Sequence, residues 1–163
     1  MPPTPMPPTL RLLQAADADA LVDLLPDLGY TATADQVVQR LARLREWPDQ
    51  EAFVAEADGH LVGLCHVQGV RMLISDGYAE IQALVVSAAR QGQGIGRVLL
   101  EHACTWAAAR GYDRVRLRSN VIREDAHAFY EHLGFAKSKA SYAFERHIAP
   151  RPPATPCAPR HRP

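Results

Sequence analysis

Arg90-Gln91-Gly92-Gln93-Gly94-Ile95-Gly96-Arg97 lies between an apolar run and a segment of helical periodicity, and its reading decides the fold. A side-chain-poor loop that opens a helix presents successive backbone N–H groups and a positive dipole end, which together make a phosphate cradle. Glycines at 92, 94 and 96 remove the Cβ atoms that would keep a pyrophosphate from the amides, and Arg90 and Arg97 add charge beside it. Further on, Ala126-His127-Ala128-Phe129-Tyr130-Glu131-His132-Leu133-Gly134-Phe135 sets a phenol one helix turn before a glycine stop, where it could donate a proton. The two segments suggest an enzyme that grips a pyrophosphate-bearing acyl donor and protonates its leaving group.

Around this centre the pattern alternates between strands and helices. Leu10 to Leu13 is a short strand, and Asp17 is placed to cap a helix that turns Leu21, Val22, Leu24 and Leu25 inward. Thr33-Ala34-Asp35-Gln36 reads as a capping box opening a second helix, which runs to Trp47-Pro48. Ala52–Ala57 and Leu61–Val70 flank Asp58-Gly59 and predict an antiparallel hairpin, with Tyr78–Val86 as the next strand. After the glycine loop, a helix buries Ile95, Val98, Leu99 and Trp106 and stops near Arg110-Gly111. A strand around Val115 and Leu117, a helix over Asp125–Leu133 and a closing strand over Ser141–His147 complete the order β-α-α-β-β-β-α-β-α-β.

This order, with a strand, glycine loop, helix and strand at its centre, resembles the GNAT superfamily of acetyl-CoA-dependent N-acetyltransferases. Gln91-Gly92-Gln93-Gly94-Ile95-Gly96 fits the Gln/Arg-x-x-Gly-x-Gly/Ala acetyl-CoA motif of that family, and Phe129-Tyr130 to Gly134-Phe135 fits its second signature. The likeness covers roughly Leu10 to Arg146 and is most specific from Glu80 to Phe135. It implies an α/β (α+β) fold with a mixed, mostly antiparallel central sheet flanked by helices, and acetyl-CoA as co-substrate with no metal. It also implies that the pantetheine arm pairs like an extra strand beside Leu84, Val85 and Val86, and that a backbone N–H near Val86 meets the oxyanion.

A dinucleotide is the rival ligand, because a βαβ unit with glycines at its first turn also describes a Rossmann fingerprint. Here Arg97 stands where the last glycine of that fingerprint belongs, and Arg118-Ser119 replaces the ribose-binding acid. A Walker A loop is excluded because no Gly-Lys-Ser/Thr follows.

Acetyl transfer to an amine sets three tasks: deprotonating the ammonium, stabilising the oxyanion and capturing the thiolate. Tyr130 suits the third, since a phenol of pKa about 10 can protonate a departing thiolate, and the resemblance assigns the matching tyrosine that role. Phe129 reads as core. Glu80, a carboxylate near the start of an apolar strand, falls where the histone-acetylating branch of the superfamily keeps its general base. A carboxylate of pKa about 4 serves an ammonium only through burial or a relaying water. Where many relatives carry a cofactor-contacting asparagine, seven positions before the tyrosine, this chain has Arg123, with Asn120 three residues earlier. Both are cofactor-binding candidates beside Gln91, Gly92, Gln93, Gly94, Ile95, Gly96 and Arg97.

Composition narrows the rest. Eighteen basic and eighteen acidic residues cancel, so no global field points to nucleic acid or membrane. The 163 residues suffice for one domain, placed at 9–148 between proline-rich tails at 1–8 and 149–163. Cys65, Cys104 and Cys157 lack metal-ligand spacing, and the first two sit in apolar patterns that predict buried thiols, which fits a reducing cytoplasm. His66, His102, His127 and His132 show no metal geometry. Trp47 and Trp106 read as packing residues, and Arg114, Arg116 and Arg118 read as a solvated strand face bordering the adenine-phosphate end.

Acceptor choice is expected in Pro26–Ala34 and Arg71–Gly77, with Tyr30 and Tyr78 lining a pocket and Asp27, Asp35 or Asp76 attracting the amine. A small free amine is favoured, since no accessory region or acidic groove for a basic peptide is apparent. Protein N-terminal or lysine acetylation and a non-catalytic acyl-CoA sensor are the alternatives. The resemblance also makes a homodimer paired through C-terminal strands plausible.

Overall fold

The computed structural model describes residues 6–150, so Cys157 and most of both proline-rich tails lie outside the described residues. Five strands form one sheet in the order β1-β2-β3-β4-β5: β1 (Thr9–Leu12), β2 (Gln50–Ala57), β3 (His60–Val70), β4 (Tyr78–Val86) and β5 (Val115–Leu117). All neighbours are antiparallel except β4 and β5, which run parallel. The helices are α1 (Ala18–Leu24), α2 (Ala34–Arg45), α3 (Ile95–Ala109) and α4 (Glu124–His132).

Local chemistry fixes the joints. Asp58 and Gly59 take φ of 53° and 74°, the left-handed pair that a two-residue hairpin between twisted strands requires. Thr33 Oγ1 accepts from the Gln36 N–H at 3.2 Å while Gln36 Oε1 accepts from the Thr33 N–H at 3.0 Å, the reciprocal box that opens α2. Asp17 departs from its expected role. It precedes α1 without capping it, and its carboxylate instead takes the Arg11 guanidinium at 2.8 Å and the Gln14 N–H at 2.8 Å. Those contacts, the Arg11 hydrogen bond foremost, hold the Asp17 carboxyl below the usual carboxylate range.

Strand alternation divides the apolar residues between two cores. On one face Phe53, Cys65, Val67 and Ile81 pack with Leu99, Leu100, Ala103 and Trp106 of α3. On the other Val54, Leu64 and Val85 meet Leu21 and Leu24 of α1 and Val37 and Leu41 of α2. Leu99 is fully buried, so Leu99→Ala would cost about 2–5 kcal/mol through lost transfer energy and the cavity left behind.

The predicted closing strand over Ser141–His147 does not form: no regular element follows α4 within the described residues, and Tyr142, Phe144 and Ile148 are exposed. The edge strand nearest in sequence, β5, is three residues long and offers only a short ladder. Three further expectations also change. Trp47 lies 59% exposed beyond the end of α2, Cys104 is exposed on α3, and Phe129 is exposed rather than core.

Candidate active site

The site is organised by the two halves of β4. Its first half is paired on both edges: Glu80 faces Gln68 of β3 and Arg116 of β5, and Ile81 faces Val67 and Leu117. The ladder then skips Gln82, since Ile81 opposes Val67 while Ala83 opposes His66, and β5 ends at Leu117. An extra residue in one strand bends it and increases the local twist. From Gln82 to Val86, β4 therefore runs with its β5-side edge unpaired among the described strands. Leu84, Val85 and Val86 all lie on this open stretch, where an extended ligand could add main-chain hydrogen bonds.

That edge leads into the glycine loop. Gln91 donates from Nε2 to the Val86 carbonyl at 3.3 Å, tying loop to strand. Gly92 and Gly94 have φ of 77° and 82°, in the left-handed region where a side chain is strained, and nothing lies within 4 Å of a Cβ added at either. Gln93 is exposed between them, and Gly94 is the N-cap residue of α3. Ile95 is buried and anchors the helix start in the core. Gly96 serves differently from its expected part in clearing room for a ligand. A Cβ there would come within 3.0 Å of Phe129 Cζ, so its bareness accommodates α4. Arg97 is half exposed and only 3.8 Å from Glu101, whereas Arg90 spends its charge on Asp58 at 2.8 Å.

Tyr130 docks on the α3 side of the sheet, packed against the first core with Phe129 at 5.4 Å and Phe135 at 6.2 Å between ring centroids. Burial raises its pKa above the ordinary phenol value, against a lowering pull from Arg123. A phenol so placed holds its proton at neutral pH. Arg123 is exposed at the N-cap of α4, and Asn120 Oδ1 accepts the Ile122 N–H at 3.2 Å in the loop before it. The His127 ring nitrogen lies 2.9 Å from the Asn120 carbonyl oxygen. The Cys65 thiol is pushed up to about 12, chiefly by burial, and is inert.

Glu80 projects on the opposite face of the sheet, because it alternates with Ala79 and Ile81 of the first core. It is not a free carboxylate: Oε1 accepts from Arg118 Nε at 3.0 Å and Oε2 from Gln82 Nε2 at 3.0 Å. Tyr78 and Arg116 share its face, with the guanidinium carbon 4.3 Å from the ring centroid. His66 and Gln68 of β3 lie beside them, and His66 Nε2 is buried without a partner among the described residues. Of the three arginines, Arg118 pairs with Glu80 while staying largely solvated, Arg116 covers Tyr78, and Arg114 is exposed and donates to the Gly77 carbonyl. All three lie away from the glycine loop, since Val86 is six positions beyond Glu80 in β4, about 20 Å of strand.

Sequence reading missed Gln82, Arg116 and Arg118 as site residues. The signal available was parity, since Arg116 and Arg118 share the spacing of two that separates Tyr78 from Glu80. Of the expected acceptor residues, Tyr78 is buried beneath Arg116 and Tyr30 is exposed. Asp27 is already engaged, accepting the Ala88 N–H at 3.0 Å. No group of metal-ligating side chains occurs among the described residues, and no helix there is long and apolar enough to cross a membrane.

The acetyltransferase (GNAT) family model matches residues 19–135, more than two thirds of the chain and both halves of this site. The chain belongs to the GNAT family. It is an acyltransferase, and GNAT enzymes use acetyl-CoA as co-substrate. It is similar to the uncharacterized N-acetyltransferase YjgM of Escherichia coli K12, with 29% identity over 80% of this chain and 83% of that one. It is also similar to an aminoalkylphosphonate N-acetyltransferase of Salmonella typhimurium LT2, with 31% identity over 79% of this chain and 85% of that one. Glucosamine-6-phosphate N-acetyltransferase of Arabidopsis thaliana shares the GNAT fold, with a TM-score of 0.77 over 86% of this chain and 99% of that one at 20% identity.

Proposed function

We propose that this GNAT enzyme moves the acetyl group of acetyl-CoA to the primary amine of a small molecule by direct attack within a ternary complex. The observation that carries this is the open edge of β4, which runs from the glycine loop to Gln82, two residues past Glu80. Amides of residues 91–97 and the N-terminus of α3 hold the diphosphate, with Asn120 and Arg123 bordering the donor from the loop before α4. The exposed edge at Leu84–Val86 aligns the pantetheine arm as an added strand.

Glu80 draws the proton from the ammonium through a water. Arg118 and Gln82 each hold one of its oxygens, so it acts as an oriented proton acceptor. The amine nitrogen then bonds to the thioester carbon, and a backbone N–H on the open stretch of β4, at its end toward Glu80, receives the oxyanion. As the C–S bond breaks, the sulfur takes the phenolic proton of Tyr130, the new amide nitrogen sheds its second proton to solvent, and solvent returns a proton to the phenol. A small acceptor is supported by the name of the Salmonella relative.

The test is release of free thiol from acetyl-CoA across a broad panel of amines. At least one small amine should give acetylated product in step with thiol. Thiol release only with peptides would move the acceptor to protein N-termini or lysines. Acetyl-CoA binding without turnover on any amine would make the chain a sensor.

A further inference from the structure

Arg116 is the cation that the site leaves unanswered. It lies opposite Glu80 in the parallel β4–β5 ladder, so both side chains rise from one face of the sheet. Its neighbours are committed: Arg118 pairs with Glu80 at 3.0 Å, while Arg114 donates to the Gly77 carbonyl at 3.2 Å and lies 3.5 Å from Asp113. Arg116 is partly buried over the Tyr78 ring, and no carboxylate approaches it within ion-pair distance among the described residues. A partly desolvated guanidinium without an anion is costly to hold, and a ring face engages its π surface while leaving N–H donors unused. The strip of Glu80, Arg116 and Arg118 therefore carries one positive charge more than it balances. Coenzyme A is a poor candidate to balance it, because the glycine loop lies about 20 Å along β4.

We propose that the acceptor is a short zwitterionic amine whose oxyanion is received by Arg116 while its ammonium is presented to Glu80. This rests on the acetyl-transfer reading above and narrows it to a substrate class. A planar fork of N–H donors suits a carboxylate or a phosphonate equally. Adjacent strands lie about 4.8 Å apart, so ammonium and oxyanion should be separated by roughly one to three carbons. Tyr78 sets the height of the guanidinium, and neutral Gln68 and His66 floor the same face without adding a charge.

The experiment measures thiol release by the full chain with 3-aminopropionate, aminomethylphosphonate, the neutral propylamine and the dication 1,4-diaminobutane. Either oxyanion-bearing amine should exceed propylamine in kcat/KM by about tenfold to a hundredfold, the range of a charge-assisted hydrogen bond. The carboxylate and phosphonate arms show which oxyanion the site takes. Arg116→Gln should raise KM for the preferred zwitterion with kcat changed far less, and collapse its preference over propylamine to about twofold. Arg116→Lys, which keeps the charge on the strip, should recover part of that preference. Equal or better use of propylamine or the diamine by the wild-type chain would overturn the inference while leaving acetyl transfer intact. Thiol release with none of the amines, despite calorimetric binding of acetyl-CoA, would overturn the acetyl-transfer reading as well.

Discussion

The donor half and the acceptor half of the site are made from different materials. On the donor side, the open edge of β4 and the loop at 91–97 offer main-chain groups, and Tyr130 is the main side chain placed for chemistry. On the acceptor side, Tyr78, Glu80 and Arg116 project from paired strands, with Arg118 just past the end of β5. Main-chain recognition suits a ligand that is the same for every member of the family, because it depends on backbone geometry and little on side-chain identity. Side-chain recognition suits the ligand that differs. The contrast predicts that donor-side changes in backbone geometry alter acetyl-CoA binding, whereas acceptor-side changes leave it intact and alter turnover.

The largest effect tests the exception on the donor side. Tyr130→Phe removes a proton and little volume, so turnover should fall about a hundredfold to a thousandfold while the acetyl-CoA Kd stays within about twofold. Calorimetry together with steady-state thiol release would show it, and unchanged turnover would return Tyr130 to the core. Next comes the acceptor carboxylate. Glu80→Gln keeps the size and one acceptor oxygen but loses the charge facing Arg118, and kcat should fall about tenfold to a hundredfold with no change in donor affinity. A loosened acetyl-CoA Kd in that variant would erase the division between the halves.

Backbone geometry is probed by Gly94→Ala. At φ of 82° a Cβ is strained although space is open, and the left-handed conformation costs about 1–2 kcal/mol. Relaxation of the loop should weaken acetyl-CoA about tenfold without lowering kcat at saturation. Gly96→Ala is the control for a different cause, because its Cβ would press on Phe129 and shift α4. Its effect should appear in thermal stability before it appears in acetyl-CoA affinity.

The same contrast governs what could be read before the fold was known. The donor half was legible because left-handed backbone demands glycine: Gly92, Gly94 and the stop at Gly134 mark themselves in the chain. Asp58-Gly59 and the Thr33–Gln36 box fixed their elements for the same local reason. On the acceptor side Glu80 and Tyr78 were legible, but Gln82, Arg116 and Arg118 were not, because their place beside Glu80 is created by register. Glu80 meets Arg118 across 38 residues only after β4 and β5 align, and the skip at Gln82 leaves no mark in composition. The strand pattern over Ser141–His147 misled because a strand needs a partner edge, and β5 offers three residues. Aromatic type misled at Trp47, where Pro48 ends the helix before the ring can turn inward.

The smallest effect separates the halves by pH. Burial lowers the pKa of His66 on the acceptor face, while burial raises that of Tyr130 on the donor side. In the unfolded chain the imidazole takes a proton near pH 6.5, which the native state resists, so the unfolded form binds more protons as pH falls below that value. Stability is therefore lost on acidification from about 6.5 toward the lower native pKa, before the Asp17 carboxylate, itself held low by Arg11, begins to protonate. For Tyr130 the sign is opposite: the unfolded phenol ionises near 10 while the native one keeps its proton, so stability is lost as pH rises past 10. His66→Gln should flatten the fall in thermal midpoint between pH 7 and pH 5 and leave the alkaline fall unchanged. Tyr130→Phe should do the reverse. Thermal melts of both variants from pH 5 to beyond pH 10 decide it: a flattened acid limb in the Tyr130 variant would mean that the two faces of the sheet titrate as one unit.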